Sequence, residues 1–367
     1  MNPEKALDRL TQCGVVPANR LIIAVTRHCN LKCNHCWLTS GPKSSLKHVD
    51  ATLLKETLSL WVDAGVQTLC LSGGEPLTHP QWQDILTHCA QFPTIYHLRL
   101  QTNGTLLTPK IVNDLADPVF ANLHLQISLD GAQPATHDLV RGKGNFAKTM
   151  NGLRLLSDAG LGPRTTVSFT EMRHNFEELP QLFAMMEELD IGRVVSGTLI
   201  QGGRALTRAL DLPSPKQYAN LIERFSHDAQ LRAIYERIGN TSCLEWYASR
   251  REISEHHCAN CMESPYISEE GTLFPCGLLS VTNYGIQKVW NCSVASIAKK
   301  AEVRWAGLNA LSRQRADDIQ ACMDCTGRRH CQSGCMARLA RQTNDFLEVE
   351  DRCHLRKMVY TLPDLPD

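Results

Sequence analysis

Residues 21–36 read LIIAVTRHCNLKCNHC, and this stretch joins a continuous apolar run to a loop that contains three cysteines. The run LIIAVT is typical of a strand that is buried on both faces of a parallel sheet. The loop after it would then lie at the carboxyl end of that strand, where parallel α/β proteins place their chemistry. We therefore predict that the cysteine loop belongs to the functional site.

Five further strand-like runs follow, and amphipathic segments separate them. The six predicted strands are Leu21–Thr26, Gln67–Ser72, Tyr96–Thr102, Asn122–Leu129, Thr165–Phe169 and Arg193–Leu199. Six strand–helix units in series predict an α/β fold with a parallel sheet, which right-handed crossovers curl toward a barrel. Because eight units are not visible, we predict a partial (β/α)6 barrel of the TIM type.

Helix start signals stand between these strands. Asp50 precedes one amphipathic pattern, and Thr108–Pro109 places a capping residue before proline at the first helical position. Asn175 is followed by Glu178 at the spacing of a capping box. Ser214 opens a further helical stretch that we predict to continue to about residue 238.

The character of the sequence changes after about residue 241, where the alternation ends, cysteines become dense and short loops dominate. We predict an extension over residues 1–19, the barrel with its following helices over 20–240, a small cysteine-rich domain over 241–356, and a tail over 357–367. Metal sites would stabilise the second domain, because its core is small.

Composition excludes several classes of protein. The 367 residues are 43% hydrophobic and 21% charged with a net charge of zero, so no strong field attracts nucleic acid or an anionic membrane. No run of 18 apolar residues exists, and the start lacks the apolar core of a signal peptide. We predict a cytoplasmic protein. Its 16 cysteines, mostly clustered, then indicate metal sites rather than disulfides.

Three thiolates within eight residues, those of Cys29, Cys33 and Cys36, can reach one metal centre. A structural zinc ion needs four ligands, and His28 or His35 could supply the fourth. Three thiolates without a fourth ligand also suit an iron–sulfur cubane whose last iron stays open for a ligand. The spacing alone leaves both interpretations open.

Other predicted strands end in polar, glycine-containing segments. These are Gly73–Pro76, Thr102–Gly104 and Ser128–Gly131, and each could be an ordinary turn. The glycines allow backbone to approach a polar ligand closely, and the carboxylate of Glu75 could pair with an ammonium group. Because all three segments fall at carboxyl ends of strands, together they indicate a polar ligand beside the cysteine loop.

The C-x3-C-x2-C loop together with the sequence GGEP resembles the radical S-adenosylmethionine superfamily. The resemblance implies that the three cysteines hold a [4Fe–4S] cluster whose open iron chelates S-adenosylmethionine. Reductive cleavage of that cofactor would yield a 5′-deoxyadenosyl radical that abstracts hydrogen from the substrate. The implied cofactor contacts are His35 at the adenine, Ser72, Gly73, Gly74, Glu75 and Pro76 at the methionine amino group, Asn103 at the third strand end, and Ser128 and Arg141 at the ribose and carboxylate.

Nine cysteines lie beyond residue 257, and the eight other than Cys292 are enough for two four-thiolate sites; zinc is again open on chemistry alone. Their order, C-x9-G-x4-C, then C-x2-C-x5-C-x3-C, then a last cysteine, resembles the SPASM domain of radical enzymes that act on peptides and proteins. The resemblance implies two auxiliary [4Fe–4S] clusters. One would be held by Cys258, Cys261, Cys276 and Cys335, and the other by Cys322, Cys325, Cys331 and Cys353. Cys258 is the least constrained, because the first ligand of this family lies a variable distance upstream.

These resemblances predict a radical peptide maturase that forms a thioether or carbon–carbon crosslink or epimerises a residue. For epimerisation, Cys243 is a candidate hydrogen-atom donor. Sulfatase maturation is disfavoured, because Gly277 follows Cys276 where that group carries an aspartate. The alternatives are a cofactor or haem-pathway enzyme that acts on a small molecule, and a non-catalytic iron–sulfur electron carrier.

Two kinds of partner follow from the predicted chemistry. Reduction of the clusters requires an electron donor such as flavodoxin or ferredoxin. The chain begins only about 20 residues before the first strand, which leaves no room for a leader-binding domain in front. We therefore expect a separate protein to present a leader peptide, or the leader to be bound otherwise, or the substrate to have none.

Overall fold

The structure is a computed structural model that describes residues 19–44, 48–253 and 264–363. All six predicted strands are present within one or two residues of their predicted ends, and three strands of two residues each extend the sheet. The strands are β1 Arg20–Thr26, β2 Thr68–Gly73, β3 His97–Thr102, β4 Leu123–Ser128, β5 Thr165–Glu171, β6 Arg193–Thr198, β7 Gly239–Asn240, β8 Tyr266–Ile267 and β9 Leu273–Phe274.

In these ranges the nine strands form one sheet in the order β7-β6-β5-β4-β3-β2-β1-β8-β9. Strands β1 to β7 pair in parallel, and β8 adds in parallel to the other side of β1. The last strand, β9, pairs antiparallel with β8. The sheet stays open between β7 and β9, which confirms the predicted partial barrel. A cysteine-rich region follows the barrel, as predicted.

Helices alternate with the first six strands, and shorter helices dominate afterwards. The helices are α1 Ala51–Asp63, α2 Trp82–Ala90, α3 Pro109–Leu115, α4 Pro134–Arg141, α5 Asn145–Asp158, α6 Leu179–Glu188, α7 Pro215–His227, α8 Ala229–Ile238, α9 Ser242–Ala248, α10 Val294–Asp318, α11 Gln320–Met323, α12 Arg328–Cys331, α13 Met336–Leu339 and α14 Cys353–Thr361. The start signals at Asp50, Thr108 and Ser214 are confirmed, because each side chain accepts a hydrogen bond from the first turn.

Two helix predictions match the structure in position and differ from it in detail. The side chain of Asn175 does not cap a helix; it accepts from the backbone N–H of Met172 and donates to the carbonyl of Asp130. A short 3₁₀ helix, Phe176–Glu178, directly follows Asn175 and leads into α6 at Leu179. The stretch after Ser214 is two helices, because Asp228 ends α7 and caps α8.

The loop-rich description of the C-terminal region missed α10, a helix of 25 residues. Its buried residues Val294, Ile297, Ala301 and Trp305 recur at the spacing of one helix face, a signal that the sequence carries. Ser293 caps the first turn. None of the helices in the described ranges is long and apolar enough to cross a bilayer.

Strands β3 and β4 each have one apolar and one polar face. In β3, Leu98 and Leu100 are buried in the main core with the helices, while the residues between them are half-buried on the opposite side. Strand β4 alternates in the same way. We call the polar face of these two strands the inner wall, and it consists of His97, Arg99, Gln101, His124, Gln126 and Ser128.

Candidate functional site

A cavity of about 840 Å³ lies at the carboxyl ends of the first four strands. This volume includes space that is open to solvent. Most of the site residues predicted for the barrel line it, namely Cys29, Cys33, His35, Cys36, Ser72, Gly73, Gly74, Asn103, Ser128 and Arg141. The fold therefore brings together residues that are more than 100 positions apart in the sequence.

The cysteine loop presents its thiols to this cavity. Cys29 and Cys33 are buried and Cys36 is half-buried. The backbone N–H of Leu31 donates to Cys29 Sγ over 3.4 Å. Burial raises the pKa of the Cys29 thiol to about 12 and also raises that of Cys33. Iron would have to displace these protons, which is how metal binding is coupled to thiol chemistry.

Gly73 and Gly74 hold the cysteine loop against the end of β2. The N–H groups of Gly74 and Glu75 donate to the carbonyls of Thr26 and His28, at 2.7 and 2.8 Å. A Cβ on Gly74 would lie 2.1 Å from the His28 oxygen, and one on Gly73 would lie 2.3 Å from the Thr26 oxygen. The close approach that requires glycine here is therefore made to the cysteine loop itself.

Glu75 and Pro76 do not line the cavity in this structure. Glu75 is fully buried, and its carboxylate accepts from Thr102 Oγ1 at 2.7 Å and from the Asn103 N–H at 2.8 Å. Burial raises its pKa, and these hydrogen bonds oppose that shift. Pro76 begins a short 3₁₀ turn. Glu75 thus braces the ends of β2 and β3, and the predicted contact of these two residues with a methionine amino group has no geometry that supports it.

A buried carboxylate that sequence reasoning did not select lies behind the cavity. Asp130 Oδ2 accepts from Arg141 Nε at 2.6 Å and lies 3.3 Å from His35 Nε2. Burial would raise the pKa of Asp130, but Arg141 and His35 outweigh it and lower the pKa to about 2. Asp130 lies two residues after Ser128, within the polar segment Ser128–Gly131 that the sequence indicates as part of the site, so its position in the sequence could have identified it.

His35, which was predicted to lie beside an adenine ring, lines the cavity. Burial lowers its pKa to about 4, so the imidazole is neutral at physiological pH. Its Nδ1 is buried and has no hydrogen-bond partner within the described residues. An unpaired ring nitrogen at the edge of a cavity is free to serve a bound heterocycle, and we take this as support for the cofactor site.

Asp130→Asn is expected to lower the free energy of unfolding by about 3 kcal/mol at pH 7, because it leaves the buried Arg141 without its counter-charge. The folded-state pKa is depressed, so the stabilisation is present above the unfolded value of 3.8 and is lost as pH falls toward 2. The difference between wild type and variant should narrow by about 2 kcal/mol over that interval.

Denaturant titrations between pH 2 and 7 measure this effect. Asp158→Asn is the matched control, because Asp158 is exposed at the end of α5. Equal losses of unfolding free energy in the two variants would contradict the proposed stabilisation by Asp130 and Arg141. A difference between wild type and Asp130→Asn that does not change with pH would contradict it too.

Three further residues of the site, Arg204, Gln101 and Gln126, were not predicted from the sequence. Arg204, after β6, donates to the carbonyls of Cys33 and Ser40 at 2.8 and 2.7 Å and so clamps the cysteine loop from the far side. Gln101 and Gln126 line the cavity from the inner wall. Polar residues inside parallel strands are unusual, and this departure could have identified the two glutamines.

The cysteine loop also contacts the C-terminal region. The indole of Trp37 packs against Gly277, where an added Cβ would lie 3.3 Å from the ring. The guanidinium of Arg341 lies 4.7 Å from the centre of the same ring and donates to the Gly277 carbonyl. Cys276 directly precedes Gly277, so the loop that would hold one cluster lies next to a predicted ligand of another.

The described cysteines of the second predicted set line one cavity, and those of the first set directly precede two elements that contact each other. The turn after Cys276 packs against α13, which begins directly after Cys335. The thiols of the second set share a cavity of about 410 Å³, and they are Cys322, Cys325, Cys331 and Cys353. Cys258 and Cys261 lie outside the described residues.

Within the described ranges no three His, Cys, Asp or Glu side chains are arranged to hold one metal ion. A zinc ion needs every sulfur within about 2.3 Å, whereas a cubane occupies the space between its ligands.

Cys243 is not brought to the site. It lies fully buried in α9, and its Sγ donates to the Tyr218 carbonyl over 3.6 Å. Burial and then the nearby Glu171 raise its thiol pKa well above the usual value. Helix α9 packs against α7, α14 and β6, so this thiol belongs to the helix layer and does not line the cavity.

Comparison with known proteins adds three findings. The AdoMet-dependent heme synthase of Methanosarcina barkeri (strain Fusaro / DSM 804) is 30% identical over 92% of this chain and 97% of its own length. The subtilosin biosynthesis protein AlbA of Bacillus subtilis (strain 168) is 38% identical over 40% of this chain, which spans 32% of AlbA. Streptococcus suis SuiB bound to its precursor peptide SuiA shares the fold, with a TM-score of 0.76 and 17% identity over 96% of this chain and 79% of SuiB.

A family model described as the Radical SAM superfamily matches residues 23–186. That segment contains the cysteine loop, the glycine pair and the first five strands, which together form the cavity described above. The heme synthase extends the similarity through the C-terminal region. This chain belongs to the radical SAM superfamily.

Proposed function

We propose that this enzyme cleaves S-adenosylmethionine reductively in the 840 Å³ cavity and abstracts hydrogen from a substrate that faces the inner wall. The cluster and cofactor would supply a 5′-deoxyadenosyl radical there. Cys29, Cys33 and Cys36 would hold the cluster. The observation that supports this proposal most directly is that these three thiols and the polar ends of three further strands line one cavity.

The chain's own residues would orient the cofactor and exclude water. Ser72, Asn103 and Ser128 offer hydrogen-bonding groups at the cavity wall, and Arg141 offers a charge. His35 offers its unpaired Nδ1. Two residues that hold this wall in place, Asp130 and Glu75, are buried and hydrogen-bonded. Such an arrangement keeps a site preorganised.

For the substrate, we propose a tetrapyrrole of a haem pathway, which was the small-molecule alternative from the sequence. The support is that the relative aligned with nine tenths of this chain is a heme synthase, and the alignment includes the region of the auxiliary cysteines. AlbA matches only 40% of the chain.

The second candidate is the peptide maturase predicted from the SPASM resemblance, which would crosslink or epimerise a peptide. Its support is the complete set of eight C-terminal cysteines together with the similarity to AlbA. The fold is also one that holds a precursor peptide in SuiB. A separate leader-recognition protein is a partner under this candidate alone, whereas reduction by flavodoxin or ferredoxin and a cytoplasmic location are proposed under both.

One anaerobic experiment separates the candidates. The reconstituted protein is reduced with dithionite, given S-adenosylmethionine, and analysed for 5′-deoxyadenosine; none from wild type would refute the radical chemistry and favour a non-catalytic carrier. The same reaction is then run with iron coproporphyrin III and, separately, with a short peptide encoded beside the gene. A mass change in the porphyrin supports the haem-pathway proposal, and a change in the peptide alone would replace it.

We further propose two auxiliary [4Fe–4S] clusters, held as the SPASM resemblance implies. The double variant Cys325→Ala/Cys331→Ala should lower the iron content from about twelve to about eight per chain. Cys292→Ala is the control, since Cys292 belongs to neither set and its Sγ donates to the Lys288 carbonyl. Iron and sulfide analysis of the full chain checks this. A wild-type value near four, or zinc in place of iron, would contradict two auxiliary clusters.

A further inference from the structure

The inner wall continues beyond the cavity, toward the amino ends of the strands. Gln101 and Gln126 line the cavity, and Arg99 lies two residues before Gln101 on the same face of β3. His124 lies beside Arg99 on β4, and His97 lies one step further along β3. Two residues along a strand span about 7 Å, so Arg99 lies about 7 Å along β3 from a residue that lines the cavity. A substrate that enters the cavity can be long enough to span this distance.

Hydrogen bonds connect the wall from the cavity to this lower part. Ser72 Oγ donates to Gln101 Oε1 at 2.7 Å, and Gln101 Nε2 donates to Gln126 Oε1 at 3.2 Å. Arg99 donates to the same Gln126 oxygen at 3.4 Å and to His97 Nε2 at 3.2 Å. The wall is therefore one polar surface that ends in an arginine.

Arg99 differs in its partners from the buried arginines of this chain. Arg141 and Arg338 each bind a buried aspartate, and Arg315 donates to three backbone carbonyls. Within the described residues Arg99 has neither a carboxylate nor a backbone carbonyl; its partners are a glutamine oxygen at the limit of hydrogen bonding and a histidine nitrogen. A half-buried guanidinium normally has stronger acceptors.

Among the described residues, the neighbours of Arg99 add hydrogen-bonding capacity and no negative charge. The rings of His97 and His124 stack with their centres 4.0 Å apart beside Arg99. Burial, His124, Arg99 and Arg20 all lower the pKa of His97, to about 4. Arg99 thus supplies the positive charge at this point, none of these neighbours is an anion, and the surface is half-buried rather than closed.

We propose that Arg99, with His97 and His124 beside it, forms an anion subsite on the inner wall that binds a carboxylate of the substrate. The subsite would hold the carboxylate toward the amino ends of the strands, so that the remainder of the substrate extends into the cavity. Arg99 is then a positioning residue that selects which C–H bond meets the radical. This inference rests on the proposed function, because it assigns a substrate group to the same cavity.

The test measures binding without turnover. The reconstituted full chain, without reductant, is titrated with glutarate and with its neutral analogue glutaramide, and binding is followed by ligand-observed NMR. Wild type should bind glutarate at least about tenfold more tightly than glutaramide. Arg99→Gln should lose this preference, whereas Arg99→Lys, which keeps the charge, should retain most of it.

Arg154→Gln is the matched control, because Arg154 is exposed on α5, away from the wall. It should bind glutarate as wild type does. Binding of S-adenosylmethionine by Arg99→Gln should also be unchanged, since Arg99 does not line the cavity, and this shows that the variant is folded.

Equal glutarate affinity in wild type and Arg99→Gln would overturn the subsite, and so would equal affinity for glutarate and glutaramide. The failure of the proposed function is a different result. A chain that binds glutarate through Arg99 but forms no 5′-deoxyadenosine would refute the radical chemistry and leave the subsite standing.

Discussion

Cys33→Ala should abolish formation of 5′-deoxyadenosine and remove about four irons per chain. Cys33 is buried at the centre of the cysteine loop, and the loop offers only two other thiols, those of Cys29 and Cys36. A cubane that must keep one iron open cannot lose a second protein ligand. Loss of even an outer-shell partner of a metal ligand costs ten- to hundredfold, so the expected fall in activity exceeds about 100-fold.

Iron content and anaerobic product analysis measure this effect, and Cys292→Ala again serves as the control. Circular dichroism and the melting temperature of the variant show whether the fold persists. A variant that retains all its iron would exclude Cys33 as a ligand. If iron is lost but the product yield is unchanged, the radical chemistry does not depend on this cluster.

Gly74→Ala should have an effect of similar size through the backbone. The new Cβ would lie 2.1 Å from the His28 oxygen and 2.6 Å from the Arg27 oxygen, and neither atom can rotate away. The cysteine loop must therefore move off the end of β2 and break the hydrogen bond from Gly74 N–H to Thr26. We expect a loss of about 1–3 kcal/mol in stability and at least a tenfold weaker affinity for S-adenosylmethionine.

Gly307→Ala is the matched control for this substitution. Gly307 lies within α10, nothing lies within 4 Å of its added Cβ, and alanine favours a helix. Thermal unfolding and equilibrium dialysis with labelled S-adenosylmethionine check the prediction. If Gly74→Ala binds the cofactor as the control does, the clash is relieved without moving the thiols and the predicted role of the glycine pair is wrong.

Much of the barrel could be predicted because its signals are local. A continuous apolar run such as 21–26 and a cap such as Asp50 depend only on neighbouring residues. The order of the strands then follows from right-handed crossovers. The cysteines and glycines of the site were predicted because their chemistry requires those residue types at those spacings.

The remainder depends on contacts that no local pattern encodes. Glu75 was expected to face a ligand, but folding places it between Thr102 and Asn103. Asn175 has the spacing of a capping residue, yet its side chain supports the backbone at Asp130. Arg204 clamps a loop that lies about 170 residues earlier in the chain. Each side chain satisfies a distant buried group in preference to a local one.

The position of β1 in the sheet bears on how the protein is made. Ile22 of β1 pairs with Tyr266 of β8, across more than 240 residues of sequence. During synthesis the chain emerges from its amino end, so this side of β1 stays an uncovered sheet edge until β8 has left the ribosome. The strand that leads into the cysteine loop is thus made before the other strands of the sheet and is enclosed on this side only after β8 has followed.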